Sequence, residues 1–267
     1  MFNEPVGARN GCACAVLLMC LATQAAPPSD QQRQRTFKAL PDWTGIWLPD
    51  DGVMDELGLT NAPEKGDVTF ADTILHKQHP PYNEEWEAKY QSAQRAREAR
   101  KTGSEPYLSK ECGFYFPQVM ESPWVFEALV TPEETALIFA GREVRHILTD
   151  GRPHPPTDER WATPWGDSIG HWQGQTLIVD TVTVQKDPGA RVILSEAAHF
   201  TERLRRLGKD KFEDQITVDD PVALTHPWSV TIPYKRVTNL DRMIHGDCLA
   251  NDRDQIIDGK VTITPAK

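Results

Sequence analysis

The clearest alternation of apolar and polar residues runs from Asp167 to Val184. Its second half, residues 176–184, consists mostly of β-branched residues, which favour a half-buried strand. Gln173-Gly174 supplies a two-residue turn, because glycine adopts positive φ without a steric penalty. The pattern therefore predicts a β-hairpin in which Asp167 lies opposite Asp180.

One face of that hairpin carries three ionisable side chains among apolar neighbours: Asp167, His171 and Asp180. Such a face is either a functional site or a solvated outer surface, and strand periodicity is compatible with both. A strand position beside a turn is a poor place for an imidazole that has no role. His171 is therefore a candidate for proton transfer, with Asp167 or Asp180 to orient it.

Further strand patterns follow residue 111. They occupy residues 135–140, 144–149, 199–207, 211–218 and 228–237. Pro233 indicates that the last of them lies at a sheet edge or a bulge. Successive antiparallel strands with short turns predict a mainly β fold, an antiparallel meander that forms a closed or half-closed lipocalin-like barrel.

The hairpin over residues 199–218 has a predicted register. A turn at Lys209-Asp210 sets Arg205 opposite Asp214 and Arg206 opposite Glu213, which gives two pairs of opposite charge. Each exposed pair of this kind contributes only a few tenths of a kcal/mol, so the pairs support the assignment without fixing it.

The chain after a leader suits a single domain. We predict a flexible leader over residues 27–40, an N-terminal extension with a short strand and a helix over 41–110, and a β-barrel-like core over 111–260. The helix is expected at Asn83–Lys101, because Asn83 suits an N-cap, acidic residues fill the first turn and basic residues the last. Its thin apolar stripe predicts that it packs on the outside of the sheet.

The first 26 residues resemble a secretory signal. Residues 12–22 form a short apolar core, and cleavage is expected after Ala25 or Ala26. Lipidation at Cys20 is the alternative, but Met19 is a poor small-residue neighbour for it. We therefore expect a periplasmic or secreted protein with no membrane insertion after signal removal.

Cysteine usage fits an exported protein. Three of the five cysteines lie in the signal, which leaves Cys112 and Cys248. Two surviving cysteines pair readily in an oxidising compartment, so we predict a disulfide between them. The alternative is two separate buried thiols.

Charge and motifs exclude several classes of function. A net charge of −10 argues against nucleic acid or an anionic membrane surface as the main partner. The chain has no phosphate-binding glycine loop, dinucleotide fingerprint or nucleophile elbow, so we expect no cofactor. No metal is predicted either, although His226 and His245 are alternative ligands that would join His171 or His199.

The strand at residues 199–205 supplies another candidate pair. Alternation places His199, Thr201, Arg203 and Arg205 on one face and Phe200, Glu202 and Leu204 on the other. If the first face points into a barrel cavity, His199 transfers a proton while Arg203 binds an anionic substrate. The alternative is that this face points outward and is solvated.

A proline-stiffened loop and three tryptophans complete the set of candidates. Asp150-Gly-Arg-Pro-His154 offers Arg152 and His154 as substrate-binding residues at a barrel mouth, whereas Asp150 closes the turn. Trp172 and Trp228, together with Trp165, are candidates for the apolar walls of a pocket. Core packing or barrel capping is the alternative use of these tryptophans.

Several motifs together resemble a family of exported bacterial β-rich proteins. They are Arg145-His-Ile-Leu-Thr-Asp-Gly-Arg-Pro-His154, Gly166-Asp-Ser-Ile-Gly-His-Trp-Gln-Gly-Gln-Thr-Leu-Ile-Val-Asp-Thr181, His199-Phe-Thr-Glu-Arg203, and Asp219-Asp-Pro221 with Thr225-His-Pro-Trp228. The resemblance runs from Asp42 to about Asn251. It implies a β-rich, lipocalin-like fold and assigns no activity. The family usually has a Cys-x-Glu-Gly-Asn-like element where this chain reads Cys248-Leu-Ala-Asn.

These features favour a cofactor-independent acid–base enzyme, a lyase, decarboxylase or isomerase, that acts on a small aromatic or apolar carboxylic acid. His171 or His199 would transfer the proton, and Arg203 or Arg152 would bind the anionic group. The alternatives are a periplasmic lipocalin-like carrier of a hydrophobic ligand, which needs no proton-transfer group, and a structural envelope protein without a pocket. In each of the first two cases the partner is a small molecule, and the oligomeric state stays open.

Overall fold

The computed structural model describes residues 29–50, 74–101, 115–121, 125–140, 143–186, 192–240, 242–243, 254–257 and 260–263. The predicted signal over residues 1–26 and the alternative metal ligand His245 lie outside these ranges. Cys112 and Cys248 lie outside them as well, so their disulfide stays a prediction.

Nine strands close into one barrel, which confirms the predicted mainly β architecture and shows that the barrel is closed. They are β1 (Ile46–Pro49), β2 (Phe126–Val130), β3 (Glu134–Phe139), β4 (Val144–Leu148), β5 (Asp167–Gln173), β6 (Thr176–Val182), β7 (His199–Arg206), β8 (Lys211–Asp219) and β9 (Trp228–Val237). β9 returns to pair with β1, where Tyr234 faces Pro49. The strand expected in the N-terminal extension is therefore part of the barrel wall.

One strand pair departs from the predicted antiparallel meander. β4 and β5 run parallel, with Leu148 opposite Ile169. A parallel pair needs a connection that returns along the strands, and residues 149–166 provide it. This long connection carries the proline-rich loop across the outside of the barrel, where it bears on the site described below.

The predicted register of the β5–β6 hairpin was wrong, because the two-residue turn begins one residue later than expected. Gln173 pairs with Thr176, so the turn is Gly174-Gln175, with Gly174 at φ 63° as its first residue. Asp167 consequently lies opposite Val182 instead of Asp180. The partners differ by two positions, and the side-chain period of a strand is two, so every residue keeps its predicted face.

The register predicted for β7–β8 was wrong by one residue, which has a larger consequence. Arg205 pairs with Glu213, while Asp214 pairs with Leu204. Apolar residues fix this register, since Phe212 and Leu204 are both buried. A one-residue slip moves side chains to the other face, so Asp214 points into the barrel and not toward an arginine on its surface.

β9 was expected at a sheet edge or a bulge because of Pro233. The closed barrel has no such edge there, since β9 pairs with β8 on one side and β1 on the other. Pro233 lies just beyond the last register pair with β1, Pro49 with Tyr234. Proline is therefore accommodated where the neighbouring strand ends.

Aromatic side chains pack in the barrel interior. The ring of Phe126 lies 5.2 Å from that of Tyr234 and 5.9 Å from that of Phe212, both close to edge-on. Trp47 and Phe139 are completely buried in the same core. Burial of this apolar area is the main favourable contribution to folding, with edge-on ring contacts adding to it.

In the described part of the chain, three α-helices flank the barrel: α1 (Asp30–Ala39), α2 (Ile74–Lys77) and α3 (Glu84–Lys101). α3 confirms the predicted helix, and the Trp86 amide donates to Asn83 Oδ1 at 3.1 Å, as expected of an N-cap. Its Trp86 is buried in the core, so the helix packs on the barrel. The segment expected to be a flexible leader contains the helix α1. None of the side chains of α1 is buried.

Two further strands, β10 (Asp254–Ile257) and β11 (Lys260–Ile263), pair with each other and not with the barrel. None of the helices within the described residues is both long enough and apolar enough to span a membrane.

Candidate functional site

Four of the predicted site residues meet on the outer face of the barrel. The imidazole of His154 contacts Asp167 through Nδ1 and lies 3.1 Å from Asp180 Oδ1 through Nε2. The same Asp180 oxygen lies 2.7 Å from His199 Nε2. The side chains thus form a continuous chain from Asp167 through His154 and Asp180 to His199, which we call the outer cluster.

Strand parity places three members of the outer cluster. Asp167, Asp180 and His199 all occupy outward positions of β5, β6 and β7, since their neighbours Ser168, Thr181 and Phe200 are buried inside. Thr201 of β7 lies opposite Asp180, so His199 is the diagonal neighbour of that carboxylate. Diagonal pairs across adjacent strands are within reach of long and aromatic side chains.

The connection between β4 and β5 delivers His154. Arg152 N–H donates to Asp150 Oδ1 at 3.2 Å, which closes the turn at Gly151 as the Asp150 side chain was expected to do. At the other end Gly166 adopts φ +70°, and a Cβ there would lie 2.5 Å from the Val182 carbonyl oxygen. The loop therefore enters β5 in a conformation that only glycine accommodates closely.

With a neutral His154, the outer cluster lacks one N–H donor for its contacts. A carboxylate only accepts hydrogen bonds, whereas a neutral imidazole donates at one nitrogen and accepts at the other. His154 faces a carboxylate at each nitrogen, so a neutral His154 satisfies only one of Asp167 and Asp180. A proton that enters or leaves at one end therefore changes the hydrogen bonding of the whole chain.

The two imidazoles of the chain differ in exposure. The side chain of His154 is 12% exposed, whereas that of His199 is 41% exposed. The Nδ1 atom of His199 has no hydrogen-bond partner among the residues that the structure describes. His199 is therefore the imidazole that can meet a substrate, while Asp180, whose side chain is 44% exposed, contacts it through Nε2.

Arg152 lies beside the cluster. Its guanidinium donates to Asp150 at 2.5 and 2.9 Å, and the pKa of that carboxyl is lowered mainly by these hydrogen bonds. Asp150 raises the pKa of Arg152 in turn, and Asp167 adds to the increase. The exposed Arg152 thus interacts electrostatically with Asp167 of the outer cluster, which fits its predicted role in binding an anion.

His171 is not part of the outer cluster. It lies on the same outer face of β5 but is exposed, and its ring contacts Gln173 of the same strand at 3.1 Å. The structure therefore supports His199, not His171, as the histidine that a carboxylate orients.

The inward orientation considered for His199 and Arg203 is wrong. Arg203 is exposed on the outside, because the interior face of β7 is taken by buried Phe200, Glu202 and Leu204. Arg203 also lies four residues along β7 from His199, about 13 Å between Cα atoms at strand spacing. One small substrate does not bridge that distance.

The tryptophans serve the core. Trp228 is buried, and Trp172 packs edge-on against Trp43 at 5.0 Å between ring centroids, on the interior side of β5. Trp165 stacks on Phe139 at 5.5 Å. Their positions match core packing and barrel capping, the alternative to pocket walls, because each is engaged by another core ring or buried.

Among the described residues, no group of three or more His, Cys, Asp or Glu side chains is arranged to hold a metal ion. His226 instead contacts Thr225 Oγ1 at 3.0 Å.

Sequence reasoning missed a second polar group, which lies inside the barrel. Six consecutive strands each contribute one buried polar side chain to it. We call these residues the interior layer: Arg145, Ser168, Thr181, Glu202, Asp214 and Tyr234. The available signal was a polar residue at an apolar strand position. In β7, Glu202 alternates with Phe200 and Leu204 on one face of the strand.

Arg145 is the centre of the interior layer. Its guanidinium donates to both oxygens of Glu202, at 2.7 and 2.5 Å, and to Thr181 Oγ1 at 3.1 Å. It also lies over the Phe116 ring at 4.1 Å. Burial alone would lower the pKa of Arg145, but the Glu202 carboxylate outweighs it and raises that pKa.

Two acids of the interior layer are shifted toward their protonated forms. Burial raises the pKa of Asp214 well above its usual range, and the Glu202 carboxylate adds to the increase. The pKa of Tyr234 is raised chiefly by burial and next by Asp214, while its hydroxyl donates to the Met120 carbonyl oxygen. The layer is thus fully buried, and Arg145 and Glu202 form its ion pair.

A groove of about 340 Å³ lies elsewhere, between α1 and the β2–β3 turn. It is lined by Asp30, Arg33, Gln34, Phe37, Lys38 and Pro132. None of the predicted site residues belongs to it, and four of its six lining residues have a charged or amide side chain. It therefore does not resemble the apolar cavity expected of a hydrophobic-ligand carrier.

Comparison of the chain with family models, with curated proteins and with solved structures gives no significant match.

Proposed function

We propose that the protein is a cofactor-independent acid–base enzyme whose chemistry takes place at the outer cluster. His199 transfers the proton, and Asp180 orients its ring through Nε2. His154 and Asp167 fix Asp180 in turn. The reaction class is that of a lyase, decarboxylase or isomerase, because these reactions need proton transfer at carbon and no redox cofactor.

The observation that carries this proposal is the contact of His199 with Asp180, 2.7 Å from Nε2 to Oδ1, backed by His154. A carboxylate behind an imidazole selects its tautomer and stabilises its protonated form, so the opposite nitrogen is set to exchange a proton. Here that opposite atom, Nδ1, belongs to a side chain that is 41% exposed. The pair alone is common on protein surfaces, and it is the linked fourfold chain that favours a chemical role.

The proposed substrate is a small aromatic or apolar carboxylic acid. Arg152 is the cation suited to its carboxylate, since its guanidinium is exposed on the loop that carries His154. A planar guanidinium binds a carboxylate through two parallel hydrogen bonds. To do so, Arg152 exchanges its contact with Asp150 for one with the substrate.

The carrier function has less support. A carrier of a hydrophobic ligand needs an apolar cavity. In the described part of the barrel, the interior is occupied by the Arg145–Glu202 pair and by aromatic rings such as Phe126 and Phe212.

Two variants of the same residue type test the proposal. Purified protein is incubated with a panel of small aromatic and aliphatic carboxylic acids in D₂O, and NMR follows consumption and exchange of C–H protons. We expect His199→Ala to lower kcat by about 10²–10⁴, the usual contribution of a general acid–base group. His171→Ala, an exposed histidine on the same barrel face, is the matched control and keeps wild-type turnover. Equal turnover by both variants would remove His199 from the mechanism.

We also propose that the protein acts after export, in the periplasm or outside the cell. The apolar core of residues 12–22 supports this proposal. Mass spectrometry of protein from the cell envelope should find a mature chain that begins at Ala26 or Pro27. A retained Met1 or a lipid on Cys20 would contradict it.

A further inference from the structure

The interior layer contains two carboxyl groups and one cation. Glu202 and Asp214 are completely buried, and so is Arg145. Glu202 takes two hydrogen bonds from the guanidinium, which leaves the second carboxyl without a cation of its own. An ionised carboxylate in such surroundings is costly unless hydrogen bonds satisfy it.

The surroundings of Asp214 offer no such bonds. Neither of its carboxyl oxygens accepts a hydrogen bond from an N–H or O–H group of the described residues. Tyr234, its diagonal neighbour on β9, donates its hydroxyl to the Met120 carbonyl oxygen. On β5 and β6, Ser168 and Thr181 hydrogen-bond each other at 2.8 Å and accept from Arg145.

The remaining neighbour of Asp214 is Glu202 on β7. Strand register makes the two residues diagonal neighbours, because Leu204 pairs with Asp214 and Glu202 with Ile216. Both side chains are completely buried on the inward face, so the unpartnered carboxyl group of Asp214 lies beside that of Glu202. Two carboxyl groups form a hydrogen bond only when one of them carries a proton.

We propose that Asp214 and Glu202 hold one shared proton in the barrel interior, and that this proton keeps the interior layer closed. Arg145 then balances a single negative charge, and the layer is electrically neutral. Loss of the proton leaves two buried carboxylates beside one guanidinium, with no donor for the second. The barrel is therefore a pH-sensitive structure that loosens when the proton is lost.

The other ionisable groups around the pair do not change this balance. Glu213 on β8 adds negative charge that further disfavours ionisation of Asp214, whereas Glu121, on the segment before β2, acts on Tyr234. Arg145 favours ionisation but is committed to Glu202. The pKa of Asp214 is raised accordingly, with burial as the largest cause.

The sign of the pH dependence follows. A folded protein that holds this proton more tightly than the unfolded chain is most stable below the ordinary pKa of an aspartate. It loses that stability as the pH rises from there through the raised pKa of folded Asp214. Across this window one extra bound proton changes the unfolding equilibrium constant by up to about tenfold per pH unit.

Infrared spectroscopy tests the shared proton directly in the wild-type protein. The full chain is grown with unlabelled and with ¹³C-carboxyl aspartate and glutamate, and the C=O stretch of a protonated carboxyl is sought at neutral pH. We expect a band that shifts with the isotope and disappears in Asp214→Asn. No isotope-sensitive protonated-carboxyl band in the wild type would overturn the proposal.

Unfolding as a function of pH is the second measurement. Asp214→Asn is neutral, nearly isosteric and able to donate to Glu202, so it should lack the wild-type loss of stability with rising pH. Asp220→Asn is the control: Asp220 is also buried, but it accepts from Ser195 N, Ser195 Oγ, Val222 N and Ala223 N. It should lower stability yet keep the wild-type dependence. Identical pH profiles for the wild type and Asp214→Asn would overturn the proposal.

Discussion

The outer cluster and the interior layer share the strands β5, β6 and β7, and on β5 and β6 their members are adjacent residues. On β6 Asp180 points outward to two histidines, while Thr181 points inward to Arg145. On β7 His199 faces outward and Glu202 inward. The outer groups are linked in an open chain that ends in an exposed ring. The inner groups are buried and contact one another inside the barrel.

The difference shows how burial separates two uses of similar chemistry. In the interior a charge survives only when it is paired and hydrogen-bonded, so the Arg145–Glu202 pair specifies packing and is unable to meet a ligand without opening. At the surface the same kind of contact is weak, but it leaves a nitrogen free to react. We therefore assign the proposed proton transfer to the outer cluster and the proposed pH-sensitive closure to the interior layer.

The largest expected effect comes from breaking the interior pair. Arg145→Met leaves Glu202 as an unpaired buried charge and should lower the free energy of unfolding by about 3–5 kcal/mol. Arg205→Met is the matched control, because it breaks an ion pair with Glu213 in which the arginine is 45% exposed. Its expected cost is under about 1 kcal/mol. Urea unfolding of both variants measures the difference.

A double variant sharpens that result. Replacing Arg145 by Met and Glu202 by Leu together removes both charges, so it should cost less than Arg145→Met alone. A double variant that is as unstable as the sum of its two single variants would show that the pair does not act as a unit.

Substitution of the two glycines that flank β5 distinguishes backbone strain from steric crowding. Both adopt positive φ, but a Cβ at Gly166 would meet the Val182 carbonyl oxygen at 2.5 Å, whereas nothing lies within 4 Å of one at Gly174. Gly174→Ala should cost about 1–2 kcal/mol, and Gly166→Ala about 1–3 kcal/mol more. Because Gly166 precedes Asp167, its substitution should also reduce turnover. Thermal unfolding and kcat of the two variants check this, and equal stability losses would contradict the crowding.

The smallest expected effect concerns the two candidate arginines. Arg203→Lys should leave KM and stability near wild type, within about 0.5 kcal/mol for unfolding, since Arg203 is exposed and far along β7. Arg152→Lys should raise KM with little change in kcat, because an ammonium retains the charge but loses the two-bond geometry. A larger rise in KM for Arg203→Lys would reassign the anion site.

The sequence patterns predicted the barrel, the outer helix and the faces of β5–β6, because these depend on periodicity alone. Asp167 and Asp180 kept their common face even though their register was wrong, since the error was two positions. The arrival of His154 between them was not predictable. It depends on the path of residues 149–166, which has no periodic pattern.

The interior layer was missed for a related reason. The predicted pairs of opposite charge placed Asp214 opposite Arg205, one residue from its true partner Leu204. Weak surface attraction was thereby given more weight than the burial of Phe212 and Leu204, which contributes far more free energy. The position of Glu202 between Phe200 and Leu204 was the signal that favoured an inward charge.

Turnover by Asp180→Asn and Asp214→Asn tests most directly whether chemistry occurs at the outer cluster. Both substitutions replace a carboxyl by an amide, one outside the barrel and one inside. On a carboxylic acid that the wild type consumes, Asp180→Asn should lower kcat by about 10²–10⁴, because His199 loses the group that orients it. Asp214→Asn should retain a kcat close to that of the wild type. Loss of turnover in Asp214→Asn with full turnover in Asp180→Asn would contradict the account and move the chemistry into the barrel interior.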